Sequence, residues 1–164
     1  MTIFVKNKHT LQIDEFEFKC CIGKNGSTRY KKEGDKKTPK GTFEVENLYF
    51  RKDRLAKPLT LLKCIEIKKD MGWCDDLHFP KKYNKLLKIE KKIKHEKLKR
   101  KDNKYDFLIP IKYNFKKPVI GKGSCIFIHL TKDYKPTAGC IALKEKDFLI
   151  MLKLINKKTK IKIF

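Results

Sequence analysis

Short runs of alternating apolar and polar residues, separated by glycine, proline and lysine-rich turns, dominate this chain. A period of two is typical of half-buried β-strands, whereas a period near 3.6 indicates a helix. Only residues 144–156 have the helical period, with Phe148, Leu149, Leu152 and Ile155 on one face. Strands are predicted at 2–6, 11–13, 16–22, 42–50, 59–67, 105–113, 125–130 and 159–164. The pattern predicts a mainly β fold of roughly seven to nine strands, a β-sandwich or curled mixed sheet with one C-terminal helix.

Two polar segments interrupt the strands and are predicted to be long loops, which in compact domains are often functional. Residues 23–41 are punctuated by glycine and end in the turn Thr38-Pro39-Lys40-Gly41. Residues 81–104 form the most basic tract, and their apolar residues fit no clean period. An irregular excursion with a helical turn or two near 93–100 is predicted there. Because no repeat or linker divides the chain, we expect residues 1–164 to form a single domain.

The net charge of +23 makes nucleic acid the first binding partner to consider. Arginine, which makes bidentate contacts with bases and phosphates, supplies only Arg29, Arg51, Arg54 and Arg100 among the 42 basic residues. The lysines are spread over the whole chain rather than gathered in one stripe. We therefore expect no main role in nucleic-acid binding, whereas attraction to anionic polymers such as cell-wall material stays open.

No stretch approaches the roughly 20 apolar residues of a membrane span. The N-terminus has no basic segment followed by an apolar one, so a cytoplasmic protein is expected, or an envelope protein if a leader has been removed. The six cysteines show no C-x-x-C pair and are expected to be mostly buried and reduced, with no metal or cofactor. A zinc site made by Cys74, His78 and Cys125 is a remote alternative.

The stretch 125–142 holds the residues of a thiol nucleophile with a base. His129 lies at the end of a short apolar run, and Cys140 follows a polar loop that ends in Thr137-Ala138-Gly139. A cysteine attacks as the thiolate, so it needs a neighbour that takes its proton. Sequence spacing fixes no distance, and a buried cysteine beside an unrelated histidine is the alternative.

A series of short motifs occurs in order along the chain. They are Gly34-Asp35, Thr38-Pro39-x-Gly41-Thr-Phe43, Trp73-Cys-Asp-Asp76, Tyr83-Asn84, Tyr105-Asp106, Gly121-x-Gly123-Ser, Ile-His129 and Thr137-x-Gly139-Cys140-Ile. This ordered set resembles the L,D-transpeptidase catalytic-domain family, bacterial cysteine enzymes that act on peptidoglycan stem peptides. The resemblance covers nearly the whole chain, and the ordered set is much more specific than the cysteine motif alone.

The resemblance implies a mechanism. Cys140 would attack the carbonyl next to a terminal D-amino acid and form a thioester. His129 would take the thiol proton and pass it to the leaving amine, with its other ring nitrogen held by the carbonyl of Leu130. The backbone N–H groups of Gly139 and Cys140, together with that of Ala138, would stabilise the oxyanion.

Two residues depart from the family pattern. Ala138 replaces a second histidine of many members, and Ala142 replaces an arginine suited to a substrate carboxylate. Other residues are therefore expected to contact the substrate. The candidates are Arg51, Arg54 and Lys122 for a carboxylate, Asp75 and Asp76 for an ammonium group, and Trp73, Asn84, Tyr113 and Thr137.

The resemblance leaves the acceptor of the acyl group open. A second stem amine gives a cross-link by L,D-transpeptidation, while water gives L,D-carboxypeptidase action, which suits a cytoplasmic member trimming muropeptides. A non-catalytic basic module that binds cell-wall polymer or nucleic acid is a remoter alternative. For the enzyme we expect a monomer without cofactor whose partner is a peptidoglycan stem peptide or muropeptide.

Overall fold

The computed structural model describes residues 1–164 as fifteen strands and one helix. The strands are β1 (Thr2–Val5), β2 (Thr10–Ile13), β3 (Phe16–Lys19), β4 (Ser27–Thr28), β5 (Thr38–Pro39), β6 (Gly41–Glu44), β7 (Leu48–Phe50), β8 (Cys64–Glu66), β9 (Met71–Cys74), β10 (Leu86–Lys88), β11 (His95–Lys97), β12 (Phe107–Pro110), β13 (Phe127–Leu130), β14 (Ile141–Leu143) and β15 (Lys160–Ile163). The helix α1 is Glu145–Leu154, and it is neither long nor apolar enough to cross a membrane.

Two five-stranded sheets form the body of the molecule. The first sheet has the order β3-β2-β1-β15-β6 and the second has the order β14-β13-β12-β7-β8. Each contains both parallel and antiparallel pairs: β15 runs parallel to β1, and β14 runs parallel to β13. A three-stranded sheet, β10-β9-β11, and the short pair β4-β5 complete the structure. The predicted mainly β fold with mixed sheets and one C-terminal helix is confirmed.

The main core lies between the inner faces of the two large sheets and the helix. The alternation in β1 buries Ile3 and Val5, as a half-buried strand requires. On α1, the side chains of Phe148, Met151 and Leu152 are buried. The ring of Phe148 stacks on that of Phe107 in β12, with centroids 5.8 Å apart.

The second large sheet packs against the main core on one face and against a smaller core on the other, and the site lies on the second of these faces. All four residues of β13 are buried. Ile128 and Leu130 belong to the main core, whereas Phe127 belongs to a smaller core shared with Trp73 of β9. Because neighbouring residues of a strand point to opposite faces, His129 lies on the same face as Phe127.

Several strand boundaries were predicted wrongly. The predicted strand 42–50 is two strands, β6 and β7, which belong to different sheets. The predicted strand 16–22 ends at Lys19, and only β8 is extended within 59–67. The chain changes sheets between Val45 and Asn47, a break that an apolar pattern does not reveal.

The interpretation of residues 81–104 as an irregular tract with helical turns was wrong. The tract contains β10 and β11, which flank β9 and cover the outer face of the second large sheet. Each strand has three residues, too few to show a period of two. The predicted loop 23–41 likewise contains β4 and β5, each of two residues.

Candidate active site

Two neighbouring parallel strands bring His129 and Cys140 to one face of the second sheet. In the register of β13 and β14, His129 pairs with Ala142 and Ile128 pairs with Ile141. Cys140 directly precedes β14, two residues before Ala142. Paired residues share a face and residues two apart share it too, so the thiol and the imidazole lie on the same side of the sheet.

Both side chains line one cavity of about 610 Å³. Its wall is unusually rich in charged groups of both signs. They are Lys31, Glu33, Lys36, Asp75, Glu96, Arg100, Lys104, Asp133 and Lys135. A concave site with a thiol, an imidazole and several charges is the arrangement expected of a binding site for a polar substrate.

The thiol of Cys140 is held by backbone groups. It donates to the carbonyl of Cys125 at 3.1 Å, and the N–H of Phe127 donates to the sulfur at 3.4 Å. No hydrogen bond joins the thiol to His129. Burial raises the pKa of Cys140 to about 12, although the N–H of Phe127 opposes this. The resting side chain is therefore the protonated thiol, which is a weak nucleophile.

The imidazole of His129 is oriented for proton uptake. Its Nδ1 lies 2.8 Å from the carbonyl oxygen of Leu130, the partner that the family resemblance implied. A carbonyl only accepts, so Nδ1 carries the proton of the neutral ring and Nε2 is left as a bare acceptor. The ring of Tyr105 packs edge-on against it, with centroids 5.4 Å apart. Burial lowers the pKa of His129 to about 4, which keeps the imidazole neutral.

The turn before Cys140 is organised by the hydroxyl of Thr137. This hydroxyl donates to the carbonyl of Cys140 at 2.6 Å and accepts from the N–H of Gly139 at 3.0 Å. The N–H of Gly139, which the sequence suggested as an oxyanion donor, is thus already used. The N–H groups of Ala138 and Cys140 donate to no loop or side-chain partner. Both are therefore free to donate to a bound group, unlike the N–H of Gly139.

A buried threonine ties the 23–41 segment to this turn. The hydroxyl of Thr38 donates to the carbonyl of Gly139 at 2.8 Å and accepts from the N–H of Gly23 at 2.9 Å. Gly139 has φ of +143°, and a Cβ there would lie 2.9 Å from the carbonyl oxygen of Lys37. The hydrogen bond from Thr38 and the close packing against Lys37 therefore fix the position of the peptide bond between Gly139 and Cys140.

Of the other residues suggested as substrate contacts, Asp75 and Thr137 line the cavity, and so does Ala138. Asp75 lies 3.4 Å from the ammonium of Lys94, and its Oδ1 is the one buried side-chain oxygen without a hydrogen-bond partner. The carboxylate of Asp76 instead accepts backbone N–H groups of His78 and Lys94. It stabilises its own loop outside the cavity.

Trp73 and Asn84 lie beneath the site rather than in its wall. Trp73 is 3% exposed and packs edge-on against Tyr49 and Phe127. Its indole N–H donates to Oδ1 of Asn84 at 3.0 Å, and the same oxygen accepts the N–H of Cys125 at 3.1 Å. These contacts fix the segment that carries the carbonyl facing the thiol, so both residues support the site indirectly.

Four more suggested residues lie outside the cavity. Tyr113 donates its hydroxyl to the carbonyl of Lys122 at 2.6 Å, and the side chain of Lys122 is exposed. Arg51 makes a two-point ion pair with Asp53. Arg54 pairs with Asp106 at 2.8 Å. Both arginines also donate to backbone carbonyls of the segment before β12, and neither lines the cavity with Cys140 and His129.

The cavity also contains residues that sequence reasoning missed. Lys31 and Glu33 come from the 23–41 segment, and Glu96, Arg100 and Tyr105 come from the basic tract or directly after it. Their charges looked like a solvated surface. The one available signal was the density of charged residues within two predicted loops. That density does not show which side chains are buried or which of them face the cavity.

The zinc alternative finds no support in the arrangement of ligands. No group of three or more histidine, cysteine or acidic side chains is placed to hold a metal ion. Cys74 is buried, whereas the side chain of His78 is 92% exposed. All six cysteines are free thiols.

Comparison with known proteins agrees with this geometry. No curated protein sequence matches the chain. Among solved structures, that of Bd1075 from Bdellovibrio bacteriovorus has the same fold, with a TM-score of 0.51 at 16% identity. The likeness covers 99% of this chain and 47% of that one, so the chain spans about half the length of its structural relative. Residues 1–163 match the family described as the L,D-transpeptidase catalytic domain (YkuD), and the chain therefore belongs to that family, which acts on peptidoglycan peptides.

Proposed function

We propose that this protein transfers an acyl group of a peptidoglycan stem peptide through a thioester on Cys140. The observation that carries the proposal is the placement of the thiol and a neutral, oriented imidazole on one face of one cavity. Membership of the L,D-transpeptidase family supplies the substrate class.

The first half of the reaction forms the thioester. The thiol leaves the carbonyl of Cys125, Nε2 of His129 takes its proton, and the sulfur attacks the carbonyl before the terminal D-amino acid. The N–H groups of Ala138 and Cys140 stabilise the oxyanion. The C–N bond then breaks, and His129 returns the proton to the departing amine.

The second half transfers the acyl group to an acceptor. An acceptor amine loses its proton to His129 and attacks the thioester, and the thiolate leaves and is reprotonated. A second stem amine produces a cross-link, which is L,D-transpeptidation, while water produces L,D-carboxypeptidation. The chemistry of Cys140 is the same in both, and the acceptor alone distinguishes them.

Turnover of a defined tetrapeptide stem, with and without an acceptor amine, tests the proposal. The wild type should release the terminal D-amino acid and form a covalent adduct that mass spectrometry locates on Cys140. Cys140→Ala should abolish both. Cys64→Ser is the matched control, since Cys64 lines a separate pocket and should be dispensable.

Release of the D-amino acid by the Cys140→Ala protein would refute the proposed nucleophile. Binding of muropeptides without any turnover by the wild type would favour the non-catalytic binding module instead. Product identity decides the acceptor, because only transpeptidation consumes the added amine.

A further inference from the structure

Because this chain lacks the arginine of many family members, another cation must bind a substrate carboxylate. Among the cations that line the cavity, only one is both buried and left with an N–H that donates no hydrogen bond. Ala142 stands where many family members have the arginine, and Arg51, Arg54 and Lys122 lie outside the cavity. The carboxylate partner must therefore come from the cations that do line it. These are Lys31, Lys36, Arg100, Lys104 and Lys135.

Four of these cations are poor anchors. The side chains of Lys36, Lys104 and Lys135 are exposed, and exposed ion pairs contribute little because water and salt screen them. Arg100 is already engaged, donating to Glu96 and, through two nitrogens, to Asp102. Lys31 remains.

Lys31 occupies a built position in the cavity wall. The residue is 4% exposed, and its ammonium donates to Oδ1 of Asp35 at 2.6 Å and to the carbonyl of Lys32 at 2.7 Å. Its stem runs along Gly123, where a Cβ would lie 2.9 Å from Cγ of Lys31. An ammonium has three donors, so one N–H of this buried group has no protein acceptor.

Lys31 and Cys140 line the same cavity. A carboxylate bound to the free N–H would therefore share the cavity with the thiol that breaks the peptide bond in the proposed reaction. The carboxylate nearest that bond in a stem peptide is that of the terminal D-amino acid itself.

Building on the proposed function, we propose that Lys31 binds the terminal carboxylate of the stem peptide and so replaces the arginine as the residue that selects a free C-terminus. A charge-assisted hydrogen bond in a desolvated wall is stronger than a neutral one. The cation is supplied by the loop before β5 instead of the strand after the cysteine.

The test combines two substrates with three variants. Tetrapeptides that differ only in a free C-terminal carboxylate or a C-terminal amide are compared by kcat/KM. The wild type should prefer the free acid by about tenfold to a hundredfold. Lys31→Met should lose most of this preference by reacting more slowly with the acid, with little change for the amide.

Two further variants separate recognition from loop structure. Lys32→Met removes an exposed charge one residue away and should keep the preference. Asp35→Asn weakens the anchoring of the loop but leaves the ammonium, so it should slow both substrates alike. Circular dichroism checks that each variant is folded.

Equal wild-type rates with the acid and the amide would overturn the inference while leaving the proposed function intact, and that result does not depend on any variant. Equal losses on both substrates in Lys31→Met would overturn it as well, since Lys31 would then only organise its loop. No turnover of either substrate by the wild type would instead contradict the proposed function.

Discussion

At the scale of single residues, the site consists of two neutral groups held apart in the resting state. The thiol of Cys140 donates to a backbone carbonyl, and the imidazole of His129 is fixed through Nδ1. Burial disfavours the charged form of each, raising one pKa and lowering the other. In the mechanism that we propose, proton transfer between them requires a substrate that displaces the thiol from the carbonyl of Cys125.

The neutral histidine makes folding stability depend on pH. In the unfolded chain His129 takes up a proton near its ordinary pKa of 6.5, whereas in the folded protein it does so only near 4. The unfolded state therefore binds more protons between these values, and stability falls as pH decreases through this range. Well above pH 6.5, His129 is neutral in both the folded and the unfolded state, so its titration no longer lowers the free energy of unfolding.

His129→Gln should weaken this pH dependence and abolish turnover. Urea unfolding of both proteins at about pH 7.5 and pH 4.5 measures it, with the slope against pH as the readout. The carboxylates and the other histidines are common to both proteins and cancel. Parallel stability curves for wild type and variant would contradict a buried, neutral His129.

A methyl group at Gly139 should be costly. Gly139→Ala places a Cβ at φ of +143° and 2.9 Å from the carbonyl of Lys37. We expect a loss of about 2 kcal/mol or more in unfolding free energy, together with loss of turnover because the peptide before Cys140 shifts. Gly121→Ala is the control, since it also has positive φ but no atom within 4 Å. Equal losses in the two variants would show that contact with Lys37 is unimportant.

At the scale of elements, what could be predicted from the sequence depended on whether an element carries its own pattern. The helix has its own apolar period near 3.6 residues, and β1, β2 and β15 alternate between apolar and polar residues. These elements were therefore predicted almost at their observed bounds. The strands β10 and β11 have three residues each and no alternation. Their structure comes from pairing with β9, a contact that local sequence does not encode.

The same limit applies to the site. His129 and Cys140 were singled out as a possible base and nucleophile within one short stretch, and the family resemblance added the carbonyl of Leu130. Two adjacent parallel strands bring these groups to one face of the sheet. The burial of Lys31 follows from a loop folding over the cavity around Asp35. A run of charged residues is normally exposed to solvent, so the sequence pattern of residues 23–41 does not predict that one of its lysines is buried.

The hydroxyl of Thr38 is the side-chain link between the loop and the turn before Cys140, beside a backbone hydrogen bond from Lys24 to Thr137, and it yields a prediction. Thr38→Val keeps the shape but leaves the carbonyl of Gly139 and the N–H of Gly23 without partners in a buried position. An unfolding free energy lower by about 2 kcal/mol or more is expected, with a larger loss of turnover than of stability. Chemical denaturation and tetrapeptide turnover measure the two effects.

Thr42→Val provides the matched comparison. Thr42 is exposed on β6 and makes no side-chain hydrogen bond, so the variant should match the wild type. If Thr38→Val behaved like Thr42→Val, the link between the loop and the cysteine turn would have no energetic weight.

At the scale of the whole molecule, the charge of +23 surrounds a cavity that holds charges of both signs. Long-range attraction raises the rate at which an anionic substrate meets the protein, and salt screens it. For an anionic stem peptide, kcat/KM should therefore fall several-fold as NaCl rises from about 0.05 to 0.5 M. Stopped assays with product separation measure it.

A stem peptide whose carboxylates are all amidated is the control for this prediction, and its rate should change little with salt. Circular dichroism at both salt concentrations excludes unfolding as the cause. A rate with the anionic peptide that does not depend on salt would mean that the surface lysines have no role in substrate encounter.

The position of β15 also has a consequence for how the chain reaches its native state. This strand lies between β1 and β6, with Thr2 opposite Lys160 and Gly41 opposite Ile163. The first sheet therefore cannot form completely until residues 160–163 have left the ribosome. Contacts of such long sequence separation make folding slow. Until β15 pairs, the edges of β1 and β6 that face it have no partner strand, and unpaired strand edges favour aggregation.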